Sequence, residues 1–282
     1  MKINFLKDSN THIFTTNSPF LKVFHKMKKY DLNYAPYSGV STINGLFFMY
    51  KLYDQNQWFN LDIINRDSPY SIDMTYYTKG TNYDILIYKP MANPLKEFYI
   101  EIQDNCYFKE YTNSISEDIL VCGGKQSFGI GVTTLGLMFS NILSRKLNTF
   151  VKNISSDKSN YLKETYNYLI NNKVIQKIII LEVHSFEQED STINEYLFKI
   201  LEIIKNKNKK IILWHSIPKY NKKYKKINNL LTEYSNNKNI FYIDMSFIHE
   251  GEYKSVCTYD SSLINDTGNI LLYNNIIKLG VL

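Results

Sequence analysis

Past residue 115 the apolar positions fall in short unbroken runs, at 119–122, 177–183, 209–214 and 239–243. A run without polar alternation predicts a strand buried on both faces, as in a parallel sheet. Between and after these runs, residues 138–147, 161–171, 193–205, 220–236 and 270–279 carry apolar side chains at helical spacing and predict helices. Strands alternating with helices predict a doubly wound α/β layer fold, with its ligand site at the carboxyl ends of the strands. Those ends are 123–127, 182–186 and 215–218. Before residue 115 the texture is different. Short aromatic and β-branched segments at 58–64, 70–77, 83–88 and 97–102 are separated by turn residues at 65–69, 79–82 and 89–94. Evenly spaced short strands predict a small β-sandwich or jelly roll. Two domains follow, 1–115 and 116–282, and no internal repeat is visible.

Composition narrows the function classes. A 282-residue chain with 44% apolar residues can bury a proper core. Its net charge of +6 is mild for this length, which argues against a dedicated nucleic-acid binder. Lys, Asn, Ile and Tyr are abundant in strands, helices and loops alike, so the 24 tyrosines first reflect a coding bias. No segment reaches the roughly 18 consecutive apolar residues of a membrane helix. The N-terminus lacks an apolar export segment with a small-residue cleavage site. Three cysteines, Cys106, Cys122 and Cys257, have no framework spacing and fit reduced thiols in a cytoplasm. No cluster of His, Cys and carboxylates has metal-ligand spacing, so neither metal nor cofactor is expected.

The densest chemistry lies in 119–136, Ile-Leu-Val-Cys-Gly-Gly-Lys-Gln-Ser-Phe-Gly-Ile-Gly-Val-Thr-Thr-Leu-Gly, which holds five of the eleven glycines. A buried run breaks into a glycine turn and then a helix, the layout that presents a nucleophile or an anion site. Where an enzyme of this layout places a serine, this chain has Lys125.

Residues 123–129, followed by Asn141-Ile142-Leu143-Ser144-Arg145-Lys146-Leu147, resemble the first block of the SGNH/GDSL hydrolases in spacing and glycine placement. Trp58 and 84–90 resemble the last strands of the β-domain that precedes the hydrolase domain in one subgroup. The resemblance covers about two thirds of the chain. It implies a three-layer α/β/α, flavodoxin-like domain behind a jelly-roll-like β-sandwich. The family's chemistry is acyl transfer to water, by a serine, a histidine and an aspartate, with oxyanion donors from a glycine and an asparagine.

Carried over residue by residue, those roles are replaced. The gap-free register keeps Gly129 and Gly136 in family positions and puts Lys125 at the nucleophile site, next to Gly124. A protonated lysine is not a nucleophile. In the second block, 153–162, the oxyanion glycine falls at Lys158. In the third, Glu182-Val183-His184-Ser185-Phe186, the asparagine falls at Phe186. The last block keeps Asp260, Asn265 and Gly268 but has Leu263 at the base position. Loss of single members of such a unit already removes several orders of magnitude in rate.

The resemblance therefore implies a degenerate, non-hydrolytic protein that binds or scaffolds through a remnant pocket of Gly124, Lys125, Lys158, Glu182, Ser185, Phe186 and Leu263. The partner would be a protein or peptide, or an acylated or carbohydrate small molecule, with no membrane or nucleic acid involved. The alternative is an esterase or acyltransferase of acylated small molecules, sugars or peptides. It shifts the first block by two residues, making Ser127 the nucleophile with Asp260 and a relocated base such as His184, or else His215 or His249. A third class is carbohydrate binding by the aromatic N-terminal half. Lys125 with Lys158 could also hold an anion, or Lys125 could fill the vacated site against Glu182 or Asp260. The nine lysines of 205–226 read as a polyanion-binding face or as two solvated helix faces flanking a buried strand.

Overall fold

A computed structural model describes residues 1–5, 11–27, 38–39, 42–43, 45–64, 68–90, 95–110, 118–172, 174–183, 190–259 and 263–282. The chain divides into two compact units: Met1–Ile115 with Thr133–Gly136, and Ser116–Val132 with Leu137–Leu282.

The first unit contains strands β1 (Lys2–Asn4), β2 (Thr11–Thr16), β3 (Phe20–Met27), β4 (Leu46–Leu52), β5 (Phe59–Ile64), β6 (Tyr70–Asp73), β7 (Tyr83–Tyr88), β8 (Leu95–Glu101) and β9 (Phe108–Glu110). They form two antiparallel sheets, ordered β1-β8-β3-β6 and β5-β4-β7-β2-β9. Leu21, Val23, Ile72 and Ile100 of one sheet share a core with Phe14, Phe48, Ile85 and Ile87 of the other. Two sheets closing on one core make a β-sandwich.

The expected strand at 70–77 stops at Asp73, and Thr75–Thr78 is a helical turn, α1. Asp73 Oδ1 accepts hydrogen bonds from the Thr75 amide at 2.9 Å and hydroxyl at 2.6 Å. That local cap competes with the strand ladder, which apolar alternation alone does not reveal.

In the second unit β10 (Ile119–Cys122), β11 (Val151–Asn153), β12 (Ile178–Glu182), β13 (Lys210–His215) and β14 (Ile240–Asp244) form a parallel sheet ordered β11-β10-β12-β13-β14. This order reverses direction between β10 and β12, the switch point at which doubly wound sheets place ligands. The helices are α2 (Lys125–Phe128), α3 (Phe139–Leu147), α4 (Tyr161–Asn171), α5 (Asp190–Asn206), α6 (Tyr224–Ser235), α7 (Gly251–Cys257) and α8 (Asp266–Lys278). A two-stranded antiparallel ribbon, β15 (Thr258–Tyr259) and β16 (Leu263–Ile264), precedes α8.

Period-2 alternation within the apolar runs sorts them into two cores. Leu120, Cys122, Ile179, Leu181, Ile211 and Leu213 pack with α4, α5 and α6. Val121, Ile178, Ile180, Ile212 and Trp214 pack with α3, α7 and α8 on the other face. Both faces of the sheet are covered, which is why the interiors of β10, β12 and β13 are apolar and their polar residues stand at the strand ends. The domain is a three-layer α/β/α fold.

The lysine run of 205–226 is split by β13 and makes no single face. Lys207, Lys209 and Lys210 donate to the carbonyls of Leu169, Ile175 and Val281 at 3.1, 3.3 and 3.1 Å. Lys219, beyond the far end of the strand, pairs with Glu250 at 3.0 Å. Among the described residues, no helix is long and apolar enough to cross a membrane.

Candidate functional site

β10 ends at Cys122, and two glycines turn the chain into α2. Gly124 is extended and caps the helix, Lys125 is its first residue, and Gly129 ends it at φ +104°. A left-handed residue there favours glycine because a Cβ would crowd the backbone. Gly123 has a different constraint. A Cβ on it would stand 2.6 Å from both Glu182 Cβ and Ser127 Oγ. The segment after β11 is hydrogen-bonded to this turn. The Ile154 amide donates to Val121 O at 2.9 Å, the Ser156 amide to Gly123 O at 3.0 Å, and Asn153 Nδ2 to Ser127 O at 2.8 Å.

Glu182, at the end of β12, joins the elbow from the other side. One carboxylate oxygen, Oε2, accepts the amides of Gly124 at 3.0 Å and Ser127 at 2.8 Å. These are amide donors of a first helical turn, which would otherwise lack partners. The carboxyl group is fully buried, and burial pushes it up to about 7 although the Ser127, Gly124 and Gln126 amides favour its charged form. Near neutral pH it therefore exchanges between ionised and protonated states. Its second oxygen, Oε1, has no hydrogen-bond partner among the described residues, and neither has Ser127 Oγ or Tyr161 Oη. All three belong to buried residues around Gly123 and Gly124. The Tyr161 hydroxyl is held far above its usual range, first by burial and then by Glu182.

A second polar network lies at the ends of β13 and β14. Gln126 of the elbow helix accepts a hydrogen bond from Ser216 Oγ at 2.8 Å. The Ser216 carbonyl accepts from His249 Nε2. His215 Nδ1 accepts the Ile217 amide at 3.1 Å, which leaves the neutral ring's proton on Nε2. Nε2 then donates to the Tyr242 hydroxyl at 2.7 Å, and that hydroxyl donates to Asn228 Oδ1 at 2.8 Å. Burial lowers the His215 ring to about 4; nearby Asp244 opposes this and His249 adds to it. His215 is thus a neutral, doubly hydrogen-bonded strand-end histidine.

The sequence-derived site residues fall as follows. Gly124, Lys125, Ser127 and Glu182 come together at the elbow. Ser127 is 0% exposed, with its hydroxyl packed against Gly123. Lys158 follows the segment bonded to Gly123, but its ammonium stands out in solvent, paired with Glu164 at 3.0 Å. Leu263 is the first residue of β16, paired with Tyr259. His184, Ser185, Phe186 and Asp260 lie outside the described residues. The links from Gln126 to Ser216 and from His215 to Tyr242 carried no sequence signal, since they join residues 90 and 27 positions apart. Among the described residues, no group of three His, Cys or carboxylate side chains is placed to hold a metal ion.

Comparison with solved structures identifies the fold. A GDSL-like lipase from Bacteroides ovatus superposes with a TM-score of 0.75 at 18% identity, over 96% of this chain and 83% of that one. The fold is that of the SGNH/GDSL hydrolases. A salicylyl-acyltransferase from a tetracycline biosynthetic pathway gives 0.63 at 13% identity, over 96% and 83% of the two chains. An acetyl xylan esterase from the rumen bacterium Butyrivibrio proteoclasticus gives 0.59 at 9%, over 98% and 91%. No protein-family profile and no curated protein sequence matches this chain. At these identities the likeness concerns the fold.

Proposed function

We propose that this chain is a non-hydrolytic protein on the SGNH/GDSL hydrolase fold, which binds a partner through the pocket at the elbow. The observation that carries this reading is the elbow itself. Lys125 is the first residue of α2, at the strand-to-helix step, while Ser127, the one serine of the block, is sealed beneath it. An ammonium group has no lone pair for attack on an ester, and a serine without solvent access cannot meet one. Leu263 offers no proton acceptor at the base position, and the Lys158 amide is engaged with Ser156 Oγ at 3.2 Å. The burial of Ser127 also weighs against the shifted register that would make it the nucleophile. His215, with both ring nitrogens engaged, is poorly placed to serve as its base.

What the elbow would offer a partner is a glycine turn fixed by Glu182, with Lys125 at the start of α2 beside it. Such a site suits a protein or peptide segment. It also suits an acylated or carbohydrate small molecule of the sort named for the structural neighbours, a salicylyl group or acetylated xylan. Three unpaired thiols, Cys106, Cys122 and Cys257, support a reducing, cytoplasmic setting.

The test is hydrolysis of nitrophenyl acetate and butyrate. The wild-type protein is expected to give no turnover above background. The double variant Lys125→Ser with Leu263→His is expected to recover little, because each absent oxyanion donor costs about 3–4 kcal/mol. Saturable turnover in the wild type that a single elbow substitution removes would overturn the proposal.

A further inference from the structure

The first unit carries a surface that the elbow reading does not use. Apart from Met1, every large apolar side chain that the unit exposes among its described residues is aromatic. The second unit exposes mainly aliphatic ones, such as Ile170, Ile175 and Ile270. A chain-wide bias toward Tyr and Ile would expose both types on both units, so composition does not explain the contrast.

Four aromatic side chains of the unit, Tyr76, Tyr77, Tyr50 and Phe59, form a continuous row. Tyr76 meets Tyr77 edge-on with ring centroids 5.5 Å apart. Tyr77 is 5.3 Å from Tyr50, and Tyr50 is 5.5 Å from Phe59, its cross-strand partner in the β4–β5 pair. Tyr53, just past β4, donates its amide to Asn82 O at 3.2 Å, which holds it against the turn that follows α1. Tyr76 is 85% exposed and Tyr53 73%, while Tyr50 is half-buried and anchors the row. The exposed polar side chains nearest in the chain include amides and a hydroxyl, Gln55, Asn56, Gln57, Asn60 and Thr75, together with the charged Asp54, Asp73 and Lys79.

We propose that this aromatic face binds a polysaccharide. Pyranose rings present a flat C–H surface that stacks on aromatic faces and a rim of hydroxyls that pairs with amides and hydroxyls. Tyrosine supplies both apolar area and a polar tip at small entropic cost. Exposed aromatic area of this kind is a common mark of a binding site. A protein-binding face would be expected to mix in Leu, Ile or Met. A nucleic-acid face would need an excess of cations to meet phosphates, whereas Lys51 beside the row is paired with Asp84 at 3.2 Å and the exposed Lys79 is outnumbered by the exposed carboxylates Asp54 and Asp73.

The experiment is affinity gel electrophoresis of the full chain through soluble β-glucan, xylan, mannan and galactan. Retardation by at least one polymer is expected. Tyr53→Ala with Tyr76→Ala should weaken it by at least about tenfold. Tyr220→Ala, which removes an exposed tyrosine of the second unit, should leave it unchanged. Thermal melts of the variants should match the wild type, since both removed rings lie in solvent. No retardation by any of the four polymers, or equal retardation of the double variant, would overturn the proposal. So would self-association in light scattering that the double variant abolishes while no polymer retards the wild type, since the face would then be a protein interface.

Discussion

Replacing Glu182 by glutamine isolates the electrostatic cost built into the elbow. The carboxyl group is raised from 4.5 to about 7, so the folded protein holds a proton there that the unfolded chain releases. Its contribution to stability is therefore complete below pH 4.5 and is lost as the pH rises through 7. A shift of this size corresponds to about 3 kcal/mol at pH 8. The glutamine side chain would keep an acceptor oxygen for the Gly124 and Ser127 amides, and its NH2 group could donate to Ser127 Oγ or Tyr161 Oη. The wild-type pH profile alone would hide the effect. His215, lowered to about 4, and His12, lowered to about 3, each lose stability as the pH falls below 6.5, so their slopes oppose that of Glu182. The difference between the two proteins cancels the histidines. In urea unfolding, Glu182→Gln should be within about 1 kcal/mol of wild type at pH 4.5 and about 2–3 kcal/mol more stable at pH 8. A variant less stable than wild type at pH 8 would refute the claim that burial outweighs the amide hydrogen bonds.

Gly123→Ala forces a methyl group to within 2.6 Å of Glu182 Cβ and Ser127 Oγ, and thermal unfolding should register a loss of about 1–3 kcal/mol. Tyr242→Phe strips the acceptor from His215 Nε2 and the donor from Asn228, with an expected cost of about 1–3 kcal/mol by urea titration at pH 7. Lys158→Ala breaks a solvent-exposed pair with Glu164 and should leave the melting temperature close to that of wild type.

The parallel sheet is legible in the sequence because its strands are buried on both faces. Ile119–Cys122 and Tyr161–Asn171 fall where hydrophobic spacing places them, and the other long elements differ by a few residues at their ends. β11 escapes such a reading, being three half-buried residues in which no apolar run can develop. α1 reads as strand, since Tyr70 to Tyr77 alternates plausibly and only the Asp73 cap breaks it. At the site, the glycine turn and its step into a helix can be read from residues 119–129. The attachment of Glu182 to that turn cannot. It depends on the register that sets Leu181 beside Cys122, a relation between strands nearly sixty residues apart. The histidines at the strand ends can be named from the sequence, but whether a ring nitrogen is open depends on partners such as Ile217 and Tyr242.

The most direct measurement is mass spectrometry of the protein after incubation with nitrophenyl acetate, read together with its steady-state hydrolysis beside that of Ser127→Ala. The expected result is no acetyl group on Ser127 and hydrolysis equal in the two proteins. Saturable hydrolysis by the wild type, with an acetyl adduct mapped to Ser127 and both lost in Ser127→Ala, would contradict a non-hydrolytic elbow.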